Sequence, residues 1–222
     1  MNKQENDKQI ISLFPLPEIV LFPGMNLPLY VFEERYITMI ENAIKGKNQF
    51  GVVLAKGDMC AEVGTIAEVV NFERIEEGRL NILTEGKSRF KIIKFITEEP
   101  YYVAEVGLYE DKAEKDDDNL KKNIKDIKIL SKKALKIYDK VSEQRLSKAL
   151  KLPDDITELL FLVSGNLTCS HEQKQVILET VSVKDRASKI LHLLKEEIER
   201  LEVLLENKKT KEQVIKNGKI HI

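Results

Sequence analysis

Histidine is scarce in this 222-residue chain and absent from its first half. Only His171, His192 and His221 occur, so a Ser–His or Cys–His catalytic pair would have to bridge two distant stretches of sequence. Cysteine is scarcer still. Cys60 and Cys169 form no CxxC pair and no metal-ligand spacing. They read as two buried thiols in a reducing compartment. Long apolar runs are missing as well. The longest, Leu159–Val163, is too short to cross a bilayer. The first ten residues, MNKQENDKQI, lack the apolar core of a signal peptide. A soluble, cytoplasmic protein with no membrane contact is expected. Neither sign of charge dominates: the net charge is −1 and the pI is about 6.4. Residues 1–110 carry 12 Lys+Arg against 17 Asp+Glu, a net of −5, and the remainder carries 24 against 20, a net of +4. The acidic front half is a poor match for a phosphate backbone.

The familiar catalytic motifs are incomplete. Gly86-Lys87-Ser88 imitates the end of a phosphate-binding loop, but the glycine needed five positions before Gly86 is Asn81. His171-Glu172-Gln173-Lys174-Gln175 starts like a zinc-protease helix, yet Gln175 stands where the second imidazole must share the metal. The Asp116–Asp118 run reads as a solvated face rather than a cation site. The pairs Glu33-Glu34 and Glu76-Glu77 show no sign of a shared proton. No dinucleotide fingerprint is present. The expectation is therefore a protein that is not an enzyme and has no cofactor, no metal site and no catalytic residue.

What is present falls into two regimes. Strand patterns occupy Ile10–Leu16, Leu27–Phe32, Phe50–Ala55, Val63–Arg74, Leu80–Thr84, Phe90–Phe95 and Tyr101–Tyr109. Gly57, Gly64, Gly78, Gly86 and Pro100 fall between runs, where turns are expected, with Glu76-Glu77-Gly78 as a hairpin tip. One helix interrupts: Glu33–Ile44 sets Tyr36, Ile37, Ile40, Ala43 and Ile44 on one face, and Gly46 stops it. After an acidic linker or helix start at 111–119, helical spacing takes over. Leu120–Val141 is one helix, and Asp154 or Asp155 caps the next, Ile156–Val163. Ser170 with Gln173 makes a capping-box pattern, as does Ser182 with Asp185 before a helix from Val183 to Glu206. The expected domains are a β-rich unit at 1–110, a bundle at 120–206 and a Lys-rich frayed tail at 207–222.

Two stretches suggest interaction surfaces. The last helix carries a heptad: Ala187, Leu191, Leu194, Ile198, Leu201 and Leu205. Either Leu194, Ile198, Leu201 and Leu205 form a coiled-coil homodimer seam, or the helix packs along a bundle. The second stretch is Leu13–Phe32, which is unusually apolar and is broken by prolines. Each proline removes a backbone donor, so short strands joined by rigid turns are expected, with Pro23-Gly24 as a turn. This stretch is either a packed edge of the β-unit or a shelf for apolar segments of other proteins. Phe22, Pro23, Met25, Phe32 and Tyr36 are the candidate binding residues.

Several of these motifs resemble one family. Phe14-Pro15-Leu16, then Val20-Leu21-Phe22-Pro23-Gly24 and Leu27-Pro28-Leu29, are similar to the opening of the amino-terminal substrate-recognition domain of Lon proteases. Phe32-Glu33-Glu34-Arg35-Tyr36, Val63-Gly64-Thr65-Ile66-Ala67, Glu85–Phe90, Tyr102–Val106 and the segment SHEQKQVILE at 170–179 follow in that family's order. The resemblance covers about residues 10–206. It implies an α+β fold, with a PUA-like twisted β-sheet or pseudo-barrel followed by an α-helical bundle ending in a long helix. It turns Gly86-Lys87-Ser88 into a hairpin turn. It also implies substrate recognition and subunit assembly without catalysis, in a stand-alone domain lacking the ATPase and protease modules. The expected partners are unfolded or partner polypeptides, including a separate ATP-dependent protease that the chain would serve as adaptor. RNA binding, known among PUA-like folds, is the alternative, and the acidic front half weighs against it.

Overall fold

The computed structural model describes residues 8–57, 59–114, 117–143 and 151–218, with side chains through residue 213. Asp116 of the acidic run and His221 lie outside them. The chain divides into two compact units, one of Met1–Ala113 with Ser170–Val183 and one of Glu114–Cys169 with Lys184–Ile222.

The first unit contains β1 (Lys8–Leu16), β2 (Asn26–Val31), α1 (Glu34–Lys45), β3 (Gln49–Lys56), β4 (Met59–Cys60), β5 (Val63–Arg74), β6 (Leu80–Thr97), β7 (Val103–Leu108) and α4 (His171–Glu179). The strands run in the order β1-β7-β6-β5-β3-β4, and a parallel β1–β3 pairing closes five of them into a ring. β2 attaches to β6 outside that ring. Strand alternation divides the core in two. Ile11 and Leu13 of β1 join Val53, Ile66, Phe90, Ala104 and Val106. Phe14 and Leu16, of opposite parity, join Phe50, Val52 and Val69 with Tyr36, Met39 and Ile40 of α1. The α1 side chains that reach this cluster fall at helical spacing, which is why the helix lies against it.

Proline governs the opening stretch as expected. The Leu13 amide donates to Tyr102 O at 2.8 Å, and strand parity sends residue 15 to that same side. The last β1–β7 pair is Ser12 with Val103, so the donor that Pro15 lacks has no strand to meet. The Met25 amide closes a turn onto Phe22 O at 3.1 Å, and Gly24 takes φ +77°, the left-handed position of such a turn.

Two turn assignments are corrected. Gly64 lies inside β5, and Gly86 lies inside β6. The expected strands at 80–84 and 90–95 are one strand of 18 residues, with no hairpin between them. The reason for Gly86 is close backbone approach. A Cβ there would stand 2.4 Å from Phe22 O, while the Gly86 amide donates to Met25 O and the Gly24 amide to Gly86 O. Glu76–Gly78 is indeed the tip between β5 and β6.

A third difference concerns the chain's return at 170–183, which sequence spacing assigns to the bundle but which packs with the strands. The expected capping box is present: Gln173 N donates to Ser170 Oγ and Ser170 N to Gln173 Oε1. Gln175 Nε2 donates to Val63 O at 2.9 Å and to Glu179 Oε1 at 2.8 Å. Arg89, almost fully buried, donates to Leu178 O at 2.7 Å and Thr180 O at 3.2 Å, and pairs with Asp111. Tyr109 Oη donates to Glu179 O at 2.9 Å. Polar anchors like these carry no hydrophobic period, so spacing alone does not reveal them.

The second unit contains α2 (Asp118–Ser142), α3 (Ile156–Asn166) and nearly all of α5 (Val183–Gly218). Asp117 caps α2 through the Leu120 amide, and Asp155 caps α3 through the Glu158 amide. α5 continues well past the expected end at Glu206. Ile198 and Leu201 pack on Ile137, with Leu130, Ala134, Val141 and Leu205 around them. Arg186, fully buried, lies over the Phe161 ring at 4.6 Å. Lys208 Nζ donates to Lys140 O and Val141 O, so a cation satisfies the last carbonyls of α2.

Candidate functional site

The six residues Leu80–Glu85 of β6 have a strand on each side. β2 pairs them through Asn26–Val31, and β5 through Glu68–Arg74. Alternation gives this three-stranded piece two faces. Leu80 and Ile82 turn inward with Val31 and Val69, onto α1. The opposite face looks outward. There Leu83 lies between Pro28 of β2 and Asn71 of β5, and Asn81 lies between Tyr30 and Glu73. Tyr30 is 49% exposed and Leu83 36%. The β5 ladder shifts register between Val69 and Asn71, which leaves Val70 exposed at the bulge. Phe32, one residue past β2, is 61% exposed. The Phe32 and Tyr30 rings stand 5.8 Å apart. Arg79 Nη1 donates to Tyr30 Oη at 2.9 Å and pairs with Glu77, so the hairpin tip orients the tyrosine. The result is an outward apolar strip of Tyr30, Phe32, Val70 and Leu83, with amides and charges around it. A strip of this kind on a sheet face suits apolar side chains of another polypeptide.

The candidates read from sequence separate on burial. Phe22 is 0% exposed and Tyr36 8%, so both are withdrawn as surface residues. Phe22 sits where its carbonyl abuts Gly86, and the Tyr36 ring stacks on Phe14 at 4.2 Å. Burying an aromatic side chain contributes roughly 1.5–3 kcal/mol, which accounts for their place in the core. Pro23 and Met25 are half-buried, Met25 against the α1 cluster. Phe32 alone of the five is prominent on the surface. Tyr30, Val70 and Leu83 escape sequence reading because β2 offers apolar residues at both parities. Only the β2–β6 register sends Leu27 and Leu29 toward the core and Pro28 and Tyr30 away from it. On the last helix, Leu194, Ile198 and Leu201 are buried within the same chain, and Leu205 packs with them. The homodimer-seam reading of those four is therefore corrected: α2 covers the seam. Val203 and Leu204 of α5 are exposed instead.

Among the described residues the titratable groups show no catalytic geometry. His171 pairs with its neighbour Glu172, and His192 pairs with Glu196 on the surface of α5. Cys60 and Cys169 form no disulfide, and burial pushes the Cys60 thiol up, away from the reactive thiolate. Among the described residues no three His, Cys, Asp or Glu side chains come together as a metal site. Among them, too, no helix is long and apolar enough to cross a membrane.

The family model of the ATP-dependent protease La (LON) substrate-binding domain matches residues 10–196. The chain is 28% identical over 210 residues to a Lon protease of Dictyoglomus thermophilum, covering 91% of this chain and 26% of that protein. It is 29% identical over 212 residues to a Lon protease of Anaeromyxobacter dehalogenans, covering 90% of this chain and 25% of that one. The chain thus spans about a quarter of the length of these curated relatives. Among solved structures, the N-terminal domain of a Mycobacterium avium complex Lon protease superposes with a TM-score of 0.66 at 20% identity, covering 84% of this chain and 98% of that one. A Lon N-terminal domain protein from Xanthomonas campestris gives 0.63 at 22% identity, covering 83% and 98%. These two structures share the α+β fold.

Proposed function

Because the chain belongs to the LON substrate-binding domain family, we propose that it is a non-catalytic protein- and peptide-binding module that holds apolar stretches of unfolded polypeptide on the outer face of the β2–β6–β5 sheet. The observation that carries this reading is the strip of Tyr30, Phe32, Val70 and Leu83, exposed on a sheet whose inner face packs on α1. Exposed aromatics of this kind bind without a large loss of side-chain freedom, because each has only two rotatable side-chain bonds. The exposed polar groups of Asn71, Asn81, Glu73 and Arg79 keep the strip in water when no partner covers it. A module of this kind serves as an adaptor that passes polypeptides to an ATP-dependent protease, or as a chaperone-like binder.

The test uses a reduced, carboxymethylated protein that cannot refold, titrated into the full chain and followed by amide chemical shifts. Shifts should cluster on residues 28–32, 70–72 and 81–85. Replacing Tyr30 and Phe32 together by alanine should weaken binding by about 5- to 30-fold, a loss of about 1–2 kcal/mol as for interface aromatics. Since both are exposed, the thermal midpoint should scarcely move. Shifts confined to the helical unit, or unchanged affinity in the double variant, would overturn the assignment.

A further inference from the structure

The helical unit holds a cavity of about 350 Å³ between α2, α3 and α5. Its wall is mostly leucine: Leu135, Leu152, Leu162, Leu167, Leu194 and Leu201. Two polar residues interrupt that wall. Ser131 of α2 is 9% exposed, and its Oγ is buried without a hydrogen-bond partner. Glu197 of α5 is also 9% exposed, with its Oε2 held by Arg200 at 3.0 Å. Tyr138, Asn166 and Thr168, all exposed, stand around the opening.

A buried hydroxyl without a partner costs about 1–3 kcal/mol relative to a paired one, so its presence in an otherwise apolar wall calls for an explanation. We propose that this cavity binds a small amphiphile with one short aliphatic arm and one neutral or cationic hydrogen-bonding head. The arm lies against the leucines. The head meets Ser131 Oγ and the carboxylate of Glu197, both on side chains that line the cavity. An anionic head is rejected, because the Glu197 carboxylate forms part of the wall.

A volume of about 350 Å³ suits a small molecule. Cavities of about 300 Å³ and above take small ligands. The site lies wholly in the helical unit, so it stands or falls independently of the proposed sheet surface.

The probes are 1-butanol, 1-hexanol, hexylamine and hexanoate, added to the full chain and read by amide shifts and ligand-observed NMR. Hexanol and hexylamine should shift the amides of Ser131, Val163 and Leu194. Each added methylene should tighten alcohol binding about fourfold, and hexanoate should bind at least about tenfold more weakly than hexylamine. Ser131→Ala should fold as well as the parent chain and lose about fivefold in hexanol affinity. Glu197→Gln should admit hexanoate. Far-UV circular dichroism of both variants separates a lost site from a lost fold. No shift at the cavity with any probe, or equal binding of hexanoate and hexylamine by the parent chain, would overturn the proposal.

Discussion

Replacing Arg89 by methionine removes a buried cation that ties the returning segment 170–183 to the strands. The Arg89 side chain is 3% exposed. It donates to Leu178 O at 2.7 Å and Thr180 O at 3.2 Å, pairs with Asp111, and lies 5.2 Å from the Tyr109 ring centroid. Methionine fills much of the same volume, so the loss is electrostatic rather than a cavity. Two carbonyls lose a charged donor, at about 1–3 kcal/mol each where burial is complete. The Asp111 carboxylate, 19% exposed, loses its guanidinium. Breaking one side of a buried pair costs about 3–5 kcal/mol in all. Against a typical total stability of about 5–15 kcal/mol, the variant should fold but be marginal. Hydrogen exchange gives the clearest readout. The Lys112 amide, bonded to Val181 O at 2.9 Å, should exchange much faster in Arg89→Met, whereas amides of α2 should be unaffected. Urea unfolding should place the first unit's transition lower by the stated amount. Adding Asp111→Asn should recover part of the loss, because no unpaired carboxylate then remains. A loss under about 1 kcal/mol, or an unchanged Lys112 exchange rate, would show that packing alone holds the segment.

Three further expectations follow from individual contacts. Gly86→Ala should destabilise by about 2–3 kcal/mol or more, since its Cβ would stand 2.4 Å from the backbone at Phe22 O; Gly107→Ala, whose nearest neighbour is Ile93 Cδ1 at 3.4 Å, should be tolerated, and comparable thermal midpoints for the two would contradict this. The Glu105 carboxyl is held below its ordinary value by hydrogen bonds to Lys94 and then Lys8. Its contribution is therefore full above the unfolded carboxylate value, about 4.3, and is lost as pH falls through the lower folded value. Glu105→Gln should flatten stability against pH in that acid window and nowhere else, which acid titration of the two proteins will check. Finally, Ile198→Ala should cost about 2–5 kcal/mol as a core truncation against α2, and light scattering should give the same mass for variant and parent; a fall from dimer to monomer would restore the seam to the surface.

The sequence by itself determined the elements whose signals are local. The strand at Val63–Arg74, its Glu76–Gly78 tip, the helix from Glu34, the Pro23-Gly24 turn and the Ser170 capping box all rest on contacts within a few residues, and each is where its pattern puts it. The order of motifs also identified the family across both units. Tertiary structure decided what depends on chain segments far apart in sequence. Gly86 reads as a turn residue until the Phe22 carbonyl, brought 2.4 Å from its missing Cβ, makes it a point of close approach inside one long strand. The segment 170–183 has helical spacing, but Arg89, Tyr109 and Gln175 tie it to strands, and such bonds leave no period in the sequence. The binding surface was decided in the same way. Phe22 and Phe32 are the same residue type, and Leu29 and Tyr30 are both strand-forming. Strand parity and the β2–β6 register bury Leu29 more deeply than Tyr30, because a shift of one residue turns every side chain to the opposite face, and Phe22 is buried where its turn meets Gly86.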